Sequence, residues 1–374
     1  MPYVIPERKA GSVVIHRLST AARGVEDAEV LCGHALSELD RHADAGGEAD
    51  RLRVQALGCL GRLQQAQGRY ADAEATLRHA LGTAEQTLGA CDPDVATAAN
   101  NLAVLYKYVG RFDDAESLYL RALAIIEEAY TPDHPDAATV WHNLGGLEHS
   151  RGRFALAEPH ARRAMEMRTR AFGPDHLEVA ADAAALGAIL DGMGQADAAE
   201  ALFRQALATF ESQLGPEHYE VAVNAHNLAA LEFPRGRHDE AETLWRRSLA
   251  IKEKVLGPDH PEMAGTVANL GVLAYAQGRR DEAEELWRRA QELLLHHVTE
   301  NHPVWLAVQD NLAKSTTQKE KAMERSGNSE ARPGFDKKKV VGFILATATI
   351  VGVSAAPALA KLASNHNETV LRMS

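Results

Sequence analysis

Between Ala96 and Pro135 the apolar positions form two helical stripes separated by a glycine. Leu102, Ala103, Leu105 and Tyr106 follow the i, i+3, i+4 spacing of one buried helix face. Gly110 comes just past the last periodic position, where a residue that accepts positive φ caps the final carbonyls. Asp113-Asp114 opens a second helix, placing acids at the positive end of its dipole. Its stripe is Ala115, Leu118, Tyr119, Ala122, Leu123 and Ile126. Thr131-Pro132-Asp133-His134-Pro135 closes it, and the proline enters the first turn of the next helix, where its missing N–H costs no bond.

The unit returns every 42 residues, at Gly68-Arg69, Gly110-Arg111, Gly152-Arg153, Gly236-Arg237 and Gly278-Arg279, with Gly194-Gln195 in the remaining slot. The first helix carries Leu102, Leu144, Leu186, Leu228, Leu270 and Leu312, each followed by Ala or Gly. The second carries Ala115, Ala157, Ala199, Ala241 and Ala283, followed four residues later by Tyr119, Ala161, Phe203, Trp245 and Trp287. Small residues let paired helices approach and large ones fill the space between pairs. This register reads Trp245 and Trp287 as core rather than as ligand anchors. The pattern predicts an all-α solenoid of antiparallel helix pairs, with six units and a terminal half-repeat over 51–314. Ala28-Glu29, Ala35 and Leu36 echo Ala73-Glu74, Ala80 and Leu81, so 1–50 reads as a degenerate repeat or cap.

Composition adds few constraints. A chain of 374 residues exceeds what one compact core organises, which suits a repeat array. A formal charge of −12 argues against nucleic acid as a partner, because phosphate binding needs a basic face. Cys32, Cys59 and Cys91 are odd in number and form no C-x-x-C pair, which suits a reducing, cytoplasmic setting. Residues 1–14 hold no apolar segment of a secretory signal.

The string NLAVLY…GRFDDAESLYLRALAI…PDHPD resembles the tetratricopeptide repeat, and its 42-residue period resembles the kinesin light chain subclass. The resemblance spans about 51–314 and implies a right-handed superhelix whose concave groove binds a peptide or partner protein. Kinesin light chains carry a long heptad coiled coil upstream; no sustained heptad precedes these repeats, so only the binding module carries over. The residue before the first-helix leucine is Asn101, Asn143, Asn227, Asn269 and Asn311, with Ala185 in the fourth unit. Asn is a mediocre residue inside a helix, so its repetition needs a cause. It either bonds between neighbouring helices or lines the groove, where a carboxamide can both donate to and accept from a peptide backbone. In tetratricopeptide domains this site resembles a peptide-contacting asparagine. The resemblance also places His142, His226, Lys107 and Tyr108 in the groove, with Lys107 its one permanent cation among the first-helix positions. The expected ligand is therefore a peptide of neutral or mixed charge.

No catalytic residues, cofactor or metal site are expected. His134, His176, His218 and His260 lie 42 residues apart in the turns, too distant to share a metal whose Zn–N bonds are about 2 Å. They read as turn residues near helix N-termini. No P-loop, nucleophile-elbow or H-E-x-x-H string occurs. A protein-binding scaffold is the leading reading; a sensor array controlling a separate effector is the alternative.

After Lys314 the apolar stripe ends, and 315–339 reads as a flexible linker. Lys337-Lys338-Lys339 precedes 340–360, which contain no charged residue before Lys361. As a helix this run is long enough for a bilayer core, and flanking lysines favour the cytoplasmic side. It reads as a C-terminal hydrophobic helix anchoring the repeats to a membrane, with 361–374 as a short tail. A soluble helix is the competing reading, because Ala, Gly, Ser and Thr make the run only moderately apolar.

Overall fold

The computed structural model describes residues 25–41, 47–295 and 303–327. Every regular element among them is helical, and they form two compact units divided between Pro174 and Asp175. The first unit opens with α1 (Val25–Arg41) and continues with three hairpins. These pair α2 (Gly47–Ala66) with α3 (Tyr70–Thr87), α4 (Pro93–Tyr108) with α5 (Phe112–Ala129), and α6 (Pro135–Ser150) with α7 (Phe154–Phe172). The second unit pairs α8 (Leu177–Gly192) with α9 (Ala196–Leu214), and α10 (Tyr219–Glu232) with α11 (His238–Leu256). A 3-10 turn (Pro261–Met263) then leads into α12 (Ala264–Ala276), which pairs with α13 (Arg280–Leu294), and α14 (Pro303–Gly327) follows.

Both kinds of junction arise from the repeated residues. At the hairpin turn Gly110 takes φ +82°, its N–H bonds the Lys107 carbonyl, and the Arg111 N–H reaches back to the Tyr106 carbonyl at 2.8 Å. That is a Schellman closure, and Arg153, Arg237 and Arg279 repeat its long bond. Between hairpins the recurring histidines are N-caps. The Nδ1 atoms of His134, His176, His218 and His260 accept from the backbone N–H two residues on at 3.2–3.3 Å, as the Asp92 carboxylate does at 2.9 Å. Pro234 shortens α10 to 14 residues, against 16 for α4, α6 and α8, because its ring cannot continue the bonding pattern.

Within each hairpin the small residue of the first helix meets the residue sixteen positions later. A Cβ on Gly187 would lie 3.1 Å from the Phe203 ring, and one on Gly271 would overlap the Trp287 indole at 2.5 Å. On Gly145 it would meet backbone, 3.2 Å from the Ala161 nitrogen. Tyr119, Phe203, Trp245 and Trp287 are all buried, as the register predicts for core positions. The second tryptophan also donates from its indole nitrogen to the Ala268 carbonyl at 3.1 Å.

Arginines join one hairpin to the next. Arg111 pairs with Glu74 at 2.9 Å and Arg151 with Glu116 at 2.7 Å; in the second unit Arg237 pairs with Glu200 at 2.9 Å and Arg279 with Glu242 at 3.0 Å. Glu29 on α1 holds Arg69 in the same way at 2.7 Å, so α1 stands where the second helix of a preceding repeat would stand. Arg246 and Arg289 also bridge hairpins, to Glu282 and Glu253. Apart from Arg151, whose side chain is buried, these pairs are partly exposed and worth about 0–1 kcal/mol each, so they set register more than they add stability.

The C-terminal part departs from the linear pattern. The linker expected at 315–339 is helical as far as Gly327, and Ser315 is buried with its hydroxyl on Glu284 at 2.8 Å. Lys, Gln, Glu, Ala and Met in 318–323 are good helix formers, so the helix outlasts its apolar stripe. The hydrophobic run 340–360 lies outside the described residues. Among the described residues no helix is long and apolar enough to cross a membrane.

First helices of successive hairpins touch, α2 with α4 and α4 with α6 in the first unit and α8 with α10 and α12 with α14 in the second, though α10 and α12 do not touch to that extent. No contact of that extent joins the second helices. Helices that crowd on one side bend a stack toward that side, so the first helices line the inner face of each unit.

The His218 cap makes stability depend on pH. Burial holds the His218 imidazole below its ordinary pKa, so the folded chain takes up a proton less readily than the unfolded chain. The cap's contribution is full above about pH 6.5 and is lost as pH falls, since a protonated Nδ1 cannot accept. Replacing His218 by Asn keeps a neutral acceptor worth about 1 kcal/mol. Thermal melting at pH 7.5 and 5.5 should show a smaller acid-induced fall in Tm for His218→Asn than for the wild type; equal falls would remove the cap from this role.

Candidate functional site

The inner face carries more buried polar groups than a packing surface needs. Asn143, Asn227, Asn269 and Asn311 are all buried and Asn101 is half-buried. Asn143 donates from Nδ2 to the side-chain Oδ1 of Asn100 on the neighbouring α4 at 2.8 Å, while its own Oδ1 has no partner among the described residues. Asn101 packs over the bare backbone of Gly58 on α2, where a Cβ would lie 3.2 Å from its Nδ2. At this register the carboxamides of the first unit therefore knit adjacent inner helices, leaving some hydrogen-bonding capacity unused.

His142 and Lys107 are buried in the first unit, whereas Tyr108 is exposed, its ring centroid 6.3 Å from that of Tyr70. Burial lowers the Lys107 ammonium to about 8. Burial, and then the charge of Lys107, bring His149 down to about 4, so that imidazole is neutral. Arg168 on α7 reaches in and donates to Thr139 on α6 at 2.9 Å.

The densest cluster lies in the second unit, where Val223, His226 and Asn227 on α10, Lys252 on α11, and Glu262, Gly265 and Thr266 line a pocket of about 20 Å³. The Lys252 Nζ lies 3.8 Å from Glu262 Oε1. Tyr219 donates its hydroxyl to that same oxygen, and His226 Nδ1 shares a hydrogen bond with Thr266 Oγ1 at 3.0 Å. Burial lowers Lys252 to about 8 and raises Glu262 to about 7. Glu262 keeps 29% of its side chain exposed, yet protein surrounds it on the other sides and the charged form is poorly solvated. Burial, with the Lys252 charge second, drives His226 to about 3, so its imidazole is neutral.

The tetratricopeptide repeat family model matches residues 52–128, 94–168, 136–212 and 220–295, more than half of the chain. The chain belongs to the tetratricopeptide repeat family. BtubC (BKLC) from P. vanneervenii is 26% identical with a TM-score of 0.51, covering 63% of this chain and 94% of that one. A kinesin light chain-type repeat protein from Podosopora anserina is 24% identical with a TM-score of 0.44, covering 54% of this chain and 96% of that one. The Pseudomonas aeruginosa protein pilF is 19% identical with a TM-score of 0.42, covering 71% of this chain and 98% of that one. No curated protein matches the chain. The tetratricopeptide repeat expected from the 42-residue period is the family this match gives.

For this tetratricopeptide protein the linear pattern pointed to first-helix residues and passed over Arg168, Lys252, Glu262, Thr266 and Tyr219. A signal for two of them was present. The second-helix register that holds Ala84, Ile126, Phe210 and Leu294 holds Arg168 and Lys252 instead, both buried. A cation in an otherwise apolar register marks a polar pocket within a repeat core. Among the described residues no group of three His, Cys, Asp or Glu could hold a metal.

The pocket carries a cost at neutral pH. Glu262 contributes stability that is full below about pH 4.5 and is lost as pH rises through 7. Lys252 contributes stability that is full above about pH 10.5 and is lost as pH falls through 8. Near pH 7 the fold bears part of both losses, which is more usual for a site than for a strut. A ¹³C titration of the Glu262 carboxyl carbon should give a midpoint near 7; a midpoint below 4.5 would mean that the ammonium, rather than burial, governs it.

Proposed function

We propose that this protein is a non-catalytic scaffold whose inner face binds an extended peptide of neutral or mixed charge. The observation that carries this reading is the Lys252–Glu262–Asn227 pocket, where chargeable groups are held beside the first helix α10 at a cost to stability. Tetratricopeptide repeats are protein-interaction modules, and the buried asparagines supply carboxamides along the face such a module uses. The absence of net charge in the pocket, one cation beside one anion, favours a ligand that is not strongly acidic or basic.

Asn227 gives the cleanest test, because it lines the pocket and makes no hydrogen bond among the described residues. Peptides selected against the full chain from a displayed library of linear sequences should bind Asn227→Ala about tenfold more weakly, with Tm essentially unchanged. Equal affinity would take Asn227 out of the site, and selection of nothing would remove the peptide reading altogether.

We further propose a cytoplasmic location at a membrane surface, supported by the uncharged run 340–360 behind its three lysines. The full chain should partition with membranes in fractionation, and a chain ending at Gly327, where α14 ends, should not. Equal solubility of the two without detergent would remove the anchor.

A further inference from the structure

The pocket in the second unit has unused donors and an unused acceptor facing a space of about 20 Å³. Lys252 is buried, yet its Nζ makes no hydrogen bond among the described residues; its nearest anion, Glu262 Oε1, stands 3.8 Å away. A direct charge-assisted bond would measure about 2.7–2.9 Å. Glu262 Oε1 is occupied by the Tyr219 hydroxyl, and the other carboxylate oxygen has no partner among the described residues. The Asn227 carboxamide is unused as well. The Lys252 ammonium, the Glu262 carboxylate and the Asn227 carboxamide all line this one partly open space, so a group entering it meets donors and acceptors together.

We infer that this pocket takes an uncharged peptide side-chain tip that both donates and accepts, a carboxamide or a hydroxyl. The carbonyl or hydroxyl oxygen accepts from Lys252, and the N–H or O–H donates to the free oxygen of Glu262. Charged tips fail here for a specific reason. A carboxylate would compete with Glu262 for Lys252 and set two anions side by side; an ammonium would compete with Lys252 for Glu262. Either leaves a buried charge without compensation, whereas a neutral bridging group leaves the pair intact. The volume suits the end of a side chain: a site for one water needs roughly 10–15 Å³ on this measure, so a whole residue does not fit. His226 is held by Thr266 and forms a fixed neutral wall, while Gly265 keeps that side free of a side chain.

The inference rests on the peptide-groove reading, and the test separates the two. Peptides selected on the full chain are resynthesised with each position in turn changed to Gln, Asn, Ser, Thr, Asp, Glu, Lys and Ala, and binding is measured by calorimetry. One position should prefer Gln, Asn, Ser or Thr over Asp, Glu and Lys by about tenfold or more; the amide and hydroxyl arms show which tip it takes. Glu262→Gln, close to isosteric, should shift that position toward Asp and Glu, because the pocket then holds a cation and no anion. Lys252→Met should shift it toward Lys, and Tm of each variant checks that it folds. A wild-type preference for a charged residue at every sensitive position overturns the inference but leaves the groove reading standing. So does a neutral preference unchanged in both variants. If no peptide binds the wild type, both fall.

Discussion

Everything in this molecule depends on how closely the two helices of a hairpin can approach. That distance is set by one small residue on the first helix, facing the position sixteen residues later on the second. At Gly145 the neighbour is backbone, with Ala161 and Ala157 within 3.3 Å of where a Cβ would sit. At Gly187 and Gly271 it is a flat aromatic ring seated on bare backbone. An aromatic in the second position fills the space that a glycine in the first position leaves open, and Gly145 faces Ala161 instead, where the helices meet without a ring. The close packing of protein interiors leaves little room for other combinations, since both voids and overlaps cost stability.

With hairpin spacing set in this way, the junctions follow from local chemistry. A glycine that accepts positive φ closes each first helix, and an Asp or His side chain caps the start of the next one. Four of these caps are imidazoles that accept through Nδ1. Apart from the buried Arg151, the arginine bridges between hairpins are partly exposed and individually weak. Their recurrence at nearly the same separation, down to Glu29 with Arg69 at the degenerate N-terminal repeat, shows that they align successive hairpins.

Against this economical packing, the polar interior of the second unit stands out. Four other hairpins place alanine, isoleucine, phenylalanine or leucine where Lys252 sits, and one places the buried Arg168. Burying an ammonium and a carboxylate 3.8 Å apart, without a hydrogen bond between them, is poor engineering for stability and good preorganisation for binding. Desolvation strengthens every contact a ligand makes there, and the fixed positions of Tyr219, His226 and Thr266 mean that little has to be ordered on arrival.

The linear sequence by itself determined the architecture, because a repeat fold is specified locally. Helix lengths, turn glycines, capping residues and the small-to-large register all return at 42-residue intervals, and each acts through neighbours a few residues or one repeat away. It also determined the alanine and aromatic cores, whose partners lie within one hairpin. The tertiary structure alone decided where the polar groups end up. Asn143 looked the same as Asn227 in the chain, yet one spends its amide on Asn100 while the other faces an open pocket. Helix propensity, which does not depend on apolar pattern, carried α14 to Gly327 beyond the point where the stripe stops. The charged pocket gathers Tyr219, Lys252 and Glu262 from two helices and a turn, and their pKa values depend on how much protein encloses them. Burial is a property of the packed chain, so a cation in an otherwise apolar register could mark the place but not the chemistry that assembles there.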